Sequence, residues 1–212
     1  MSCYVNVFSR RALLAGTSSL LMVGACRAQS ANARRNLYAC EGCEAAEESA
    51  PGTLTWDVDI ARGHPGEPLN LDGTIVEADG RTPASGVIIY MHQTNSQGLY
   101  ANGSPETESS RRHGRLRGWA LTDVRGRYRF ATIKPAPYPD MTMPAHIHLY
   151  ISEPGRQPYY VDDVVFEGEH KVDAAYKAAQ ELRGGSGIVR LARSDDSKSL
   201  RATRNITLER HP

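Results

Sequence analysis

Residues 143–151 read MPAHIHLYI. Two histidines, His146 and His148, stand two apart in a run that otherwise suits a buried β-strand. In a strand, side chains i and i+2 lie on one face, so both imidazoles point the same way, about 7 Å apart along the backbone. Ile147 and Leu149 point the other way. A pair of imidazoles on one face is either a chance pairing of polar groups or half of a metal site, and the neighbouring residues decide between them. Upstream lies TIKPAPYPD (132–140), with Tyr138 between two prolines. Each proline fixes its own backbone angle and restricts the residue before it, so this tyrosine is held stiffly. Further back, NSQGLYANGSP (95–105) puts Tyr100 in a glycine-containing loop directly after a strand-like run. A phenol has an ordinary pKa of about 10 and ionises at neutral pH only beside a strong Lewis acid. Two imidazoles and two phenolates suit a hard, highly charged ion. Ferric iron fits best, copper is the weaker alternative, and zinc makes little use of tyrosinate.

The elements that must position these groups read as short strands separated by turns. LNLDGTIVEA (69–78) alternates in hydrophobicity and runs into the turn DGRTPASG. GVIIYMHQT (86–94) is rich in β-branched residues. GWALTD leads through a glycine turn into VRGRYRFATI, and HIHLYIS and YYVDDVVFEG follow, separated by EPGRQP. GIVRLARS and LRATRNITLE close the chain as an expected hairpin around DDSKS. One helix is expected over 172–185, VDAAYKAAQELRGG, ending at Gly184 and Gly185. The pattern predicts an all-β fold: a β-sandwich of mostly antiparallel strands with one short helix near the C-terminal part.

The domain is expected over 54–212, preceded by a polar lead-in over 27–53 and a leader over 1–26. SRRALLAGTSSLLMVGAC (9–26) has paired arginines, a moderately apolar stretch and small residues, as in a twin-arginine export signal. That route carries proteins already folded, which suits one that takes up a cofactor before export. VGAC resembles a lipobox, which makes Cys26 an expected lipid anchor; ordinary cleavage near Ala28 or Ala33 is the alternative. The localisation expected is periplasmic or membrane-anchored at the cell surface. Of the four cysteines, Cys3 leaves with such a leader, and Cys40 and Cys43 remain as CEGC, read as a disulfide staple in an oxidising compartment. Charges nearly balance, with 25 Lys+Arg against 24 Asp+Glu. No basic block argues for nucleic acid, and no apolar run reaches the ~18–20 residues of a membrane-spanning helix.

These residues, taken in order, resemble a known family. LDGTIVEADGRTPASGVIIYMHQTNSQGLY, RGWALTDVRGRYRFATIKPAPYP, PAHIHLYIS and VVFEGE are similar to the intradiol ring-cleavage dioxygenases, over about residues 68–169. The group includes catechol 1,2-dioxygenase and protocatechuate 3,4-dioxygenase. The resemblance implies non-haem Fe(III) held by Tyr100, Tyr138, His146 and His148. It implies that Tyr138 is the ligand that leaves when substrate arrives, acting also as a catalytic residue by taking up a substrate proton. The substrate implied is a small aromatic diol, cleaved by O2 between its two hydroxylated carbons to a muconate-type diacid. A homo-oligomer of unspecified size is also expected.

Two positions depart from the family pattern. Members carry an arginine directly before PAHIH, where this chain has Met143, and a glutamine before the YF-x-G element, where Asp163 stands. A guanidinium stabilises negative charge building on the ring, and methionine cannot. The basic run RRHGRLR (111–117) offers substitutes, with Arg117 first as a catalytic cation and His113 second; solvated loop charges are the alternative reading. Two other functions fit part of the pattern: a non-catalytic transthyretin-like β-sandwich module, and an iron protein with a different oxidative or catechol-binding role.

Overall fold

The structure is a computed structural model and describes residues 36–48, 54–102 and 105–212. The expected leader, Cys3 and Cys26 lie outside the described residues. In chain order the strands and helices are β1 (Asp57–Asp59), β2 (Pro68–Val76), β3 (Ile88–Gln93), α1 (Glu108–His113), β4 (Arg117–Leu121), β5 (Arg127–Ile133) and β6 (His146–Ser152). They continue with β7 (Tyr159–Phe166), α2 (Ala174–Ala179), β8 (Ile188–Val189), β9 (Ala192–Arg193), β10 (Leu200–Thr203) and β11 (Ile206–Thr207). A 3₁₀ turn at Cys43–Glu47 precedes them all.

Alternating apolar residues give each long strand one face to bury, and two sheets bury them against each other. One sheet runs β1-β5-β2-β10-β9, with β11 also on β2; the other runs β4-β3-β6-β7-β8. Leu69, Leu71 and Phe130 of the first sheet meet Ile89, Ile147 and Leu149 of the second in one core. Each such side chain contributes roughly 1.5–3 kcal/mol on burial. The long pairings are antiparallel, β2 with β5 and β3 with β4 and β6. β10 and β11 return parallel to β2, which ties the C-terminal residues to the first long strand.

The expected closing hairpin is only the short pairing of β9 with β10, because β8 crosses to the other sheet and runs parallel to β7. The expected 172–185 helix is cut to six residues. Asp173 caps its start, accepting from the Tyr176 N–H at 2.9 Å. It buries no residue, so packing does not extend it. The chain is instead pulled straight at Gln180, since Asp162 on β7 accepts the N–H groups of Leu182 and Arg183 at 2.9 Å each. Helix α1 had no counterpart in the sequence reading; it starts in a capping box of Thr107 and Ser110.

Residues 36–48 are not a loose lead-in. Leu37 is fully buried in the core, and Ala45 and Ala46 pack with Tyr90 and Tyr150 on the outer face of the β4-β3-β6-β7-β8 sheet. Cys40 and Cys43 are disulfide-bonded within this strap, and Trp119 Nε1 donates to the Ala45 carbonyl at 3.0 Å.

Candidate metal centre and its cavity

Strand β6 delivers the two histidines as its alternation requires. Ile147 and Leu149 are fully buried in the core, and His146 and His148 project from the opposite face. His148 lies directly across from His92 on β3, and His92 lies across from Arg117 on β4. One ring row therefore crosses the sheet: His148 stacks on His92 at 4.4 Å between centroids, and His92 stacks on His113 at 3.9 Å.

The tyrosines arrive on two loops locked together. Gly98 has φ +78°, and a Cβ there would stand 2.0 Å from the Pro137 carbonyl oxygen. Only glycine allows the Tyr100 loop to approach the Pro-flanked Tyr138 segment so closely. Thr94 Oγ1 donates to the Ala136 carbonyl at 2.7 Å, and the Ala136 N–H donates to the Asn95 carbonyl at 3.1 Å, which fixes the same junction.

Four polar atoms converge. Tyr100 Oη lies 3.1 Å from Tyr138 Oη and 3.0 Å from His148 Nε2. Tyr138 Oη is 3.3 Å from His146 Nε2, and the two Nε2 atoms are 3.1 Å apart. The proton inventory is short. His146 Nδ1 donates to the Pro144 carbonyl at 2.8 Å, and that oxygen can only accept. His148 Nδ1 donates to Asp163 Oδ1 at 2.9 Å. Both Nε2 atoms therefore present lone pairs to one point, facing two phenol oxygens. Burial, followed by the neighbouring His148, lowers the pKa of His146 and keeps the imidazole neutral. Burial also pushes the Tyr100 phenol up, with the Tyr138 hydrogen bond adding to it, so this phenol ionises only against a cation.

A metal ion fits this donor set. Ligands about 2.0–2.1 Å from one ion, at angles of 90–110°, stand about 2.8–3.4 Å from each other. The observed separations fall in that range. The phenol pair favours a hard trivalent ion over zinc. His146, His148 and Asp163 also cluster closely enough for a carboxylate site. Asp163 is already engaged on the Nδ1 side of His148, however, away from the point where the two Nε2 atoms and the phenol oxygens meet.

All four predicted ligands, Tyr100, Tyr138, His146 and His148, come together. Arg117 does not join them. Its guanidinium bonds Glu48 at 3.1 Å and Thr107 Oγ1 at 3.2 Å, and approaches Tyr90 Oη at 3.5 Å. The sheet register sets Arg117 beyond His92, which fills the space between it and His148. His113 is likewise buried behind His92, bonded to Tyr90 Oη at 2.8 Å. Burial pushes its pKa down to about 4.

The sequence marks Asp163 only as a departure from the family's glutamine; the structure sets its carboxylate on His148 Nδ1. It reaches His148 through a bulge: Val161 pairs with Leu149 and Val164 with Ile147, so two aspartates oppose one histidine. The signal was the VDDV break in the strand's alternation. A cavity of about 530 Å³ opens beside His148 and Asp163, walled by Met143, Tyr150, Tyr160 and Tyr176.

Comparison with known proteins identifies the family. The family model described as "Dioxygenase" matches residues 46–209. Catechol 1,2-dioxygenase 1 of Acinetobacter lwoffii is 27% identical over 143 residues, covering 59% of this chain and 45% of that protein. The protocatechuate 3,4-dioxygenase beta chain of Burkholderia cepacia is 31% identical over 97 residues, covering 42% of this chain and 41% of its own length. The chain thus spans less than half the length of these curated relatives. Among solved structures, the intradiol ring-cleavage dioxygenase from Tetranychus urticae shares the fold with a TM-score of 0.54 at 19% identity, over 77% of this chain and 94% of that one. With the family match spanning most of the sandwich, and the resembling motifs standing in order along it, this chain belongs to the intradiol ring-cleavage dioxygenase family.

Proposed function

We propose that this chain is an exported non-haem iron(III) dioxygenase that cleaves catechol-type rings between the two hydroxylated carbons. The observation that carries the reading is the convergence of Tyr100 Oη, Tyr138 Oη, His146 Nε2 and His148 Nε2, each 3.0–3.3 Å from its neighbours. These four residues would hold the iron. When bound, ferric iron supplies the Lewis acidity that draws electron density from a chelated diol and opens its ring to O2. The side chains do the rest. Pro144 and Asp163 hold the two imidazoles so that Nε2 faces the centre. Tyr138 Oη yields its place to the diol and takes up one hydroxyl proton. The tyrosine-lined cavity holds the ring and keeps water from one side of it. Both atoms of O2 enter the product, a muconate-type diacid, so atoms balance without a further reductant.

Export rests on the paired arginines of the leader and gains support from the Cys40–Cys43 disulfide, which fits an oxidising compartment. Lipidation at Cys26 and assembly into a homo-oligomer are part of the same proposal. A second reading, ferric catechol binding without cleavage, is favoured by one observation: no lysine or arginine lines the cavity among the described residues.

The test is a visible spectrum of the iron-loaded protein before and after catechol is added without oxygen, followed by admission of O2. A tyrosinate-to-iron band that shifts with catechol, then oxygen uptake matched by diacid, is expected. A spectrum that responds to catechol with no oxygen uptake favours the binding reading. A protein that stays colourless after ferric loading refutes both.

A further inference from the structure

We propose that the cavity beside the metal centre selects catechols whose ring substituent is neutral or carries an ammonium group, and rejects those carrying a carboxylate. The inference names the substrate class of the dioxygenase reading and rests on it. Glu41, Asp162, Asp163 and Glu181 line the cavity, and no lysine or arginine does among the described residues. Three cations, Arg112, Arg183 and Arg204, stand close behind the wall. Arg112 bonds Glu41 at 3.2 Å and Glu44 at 2.8 Å. Arg183, fully buried, bonds Glu181 at 2.8 Å and the Leu37 and Asn36 carbonyls, with its guanidinium 4.0 Å from the centroid of the Tyr160 ring. These balance Glu41 and Glu181. Buried Arg204 lies close enough to act on Asp162, which also accepts the Leu182 and Arg183 N–H groups, whereas Asp163 is satisfied by the His148 imidazole and has no guanidinium partner among the described residues. The cavity lining therefore presents carboxylates and no basic side chain, with Asp163 the carboxylate that no guanidinium offsets.

The walls suit the same substituent. Tyr150, Tyr160 and Tyr176 line the cavity with aromatic surface that suits an alkylammonium chain better than a carboxylate. Met143, where relatives place an arginine, adds apolar surface and no charge. A carboxylate on the ring would meet this lining with nothing to pair with, while an ammonium group would gain from it.

Affinity for the iron-loaded protein is read without oxygen, by titrating the charge-transfer band with 3,4-dihydroxyphenethylammonium, catechol and 3,4-dihydroxybenzoate. The ammonium catechol should bind at least about tenfold tighter than the benzoate, with the gap shrinking as salt is added. Met143→Lys should narrow or reverse that ratio. The second readout needs no iron. Benzylammonium should shift the Tyr160 and Tyr176 resonances of the metal-free protein, and benzoate should not. Equal affinity for the two charged catechols, together with equal shifts from benzylammonium and benzoate, overturns the proposal. Loss of every catechol response on the ferric protein, with benzylammonium still preferred in the metal-free form, keeps the charge selection and removes the dioxygenase reading instead.

Discussion

Replacing Asp163 by alanine separates an orienting residue from a bystander. Its Oδ1 accepts the Nδ1 proton of His148 at 2.9 Å, and among the described residues no other partner holds that ring nitrogen. A hydrogen bond to a charged acceptor is worth about 1.5–3 kcal/mol. The His148 and Asp163 side chains are 24% and 27% exposed, so water takes over part of the bond and the lower end applies. At about 1.4 kcal/mol per decade, iron affinity should fall about tenfold, the low end of the range for residues that brace a metal ligand. Asp163→Asn keeps an oxygen acceptor and should lose less. The assay is competition for ferric ion against a chelator of known affinity, followed by the tyrosinate band. Parent-like affinity and an unchanged band in Asp163→Ala would refute the assignment of this carboxylate as the brace for His148.

Three further outcomes are expected. Tyr138→Phe and His148→Ala should each lower iron content and alter the visible band, measured by metal analysis and absorption; unchanged content and spectrum in both would mean the ligands are elsewhere. Gly98→Ala should destabilise the fold by at least about 2 kcal/mol, because alanine resists a left-handed backbone and its Cβ would meet the Pro137 carbonyl; an unaltered urea midpoint would contradict this. The metal-free protein should weaken in acid through His113. Its folded pKa is pushed down to about 4, so stability present above the unfolded value near 6.5 is lost as pH falls towards 4. The loss is about 2 kcal/mol after solvent screening, and His113→Gln should flatten that slope in urea melts at stepped pH.

How much of the site was legible depended on how local its cause was. His146 and His148 share a face because strand periodicity dictates it. Tyr138 is held by the prolines on either side, and Tyr100 by the glycine two residues before it. Asp163 was not legible as a brace, because its orientation comes from a bulge in the register between β7 and the preceding strand β6, which the alternation of one strand does not specify. Arg117 was misplaced for a related reason. Its distance along the chain gives no hint that His92 intervenes. The two-sheet sandwich followed from alternation and turn residues, but the expected helix over 172–185 failed where Asp162 grips the backbone some 20 residues on. The strap over 36–48 is hard to see in the sequence because its buried residues are mainly small, Cys43, Ala45 and Ala46, set among the glutamates Glu41, Glu44, Glu47 and Glu48.

The contact between Tyr38 and His211 has a consequence for how the molecule is made. The phenol bonds the imidazole across 173 positions of sequence. The parallel pairing of β10 with β2 likewise joins the last part of the domain to its first long strand. Contacts of such long range carry their loop-closure entropy before they return any stability, and they slow folding. The sandwich therefore closes only once residues 200–211 can reach β2 and Tyr38, and strand β6, with His146 and His148, is only partly supported until then.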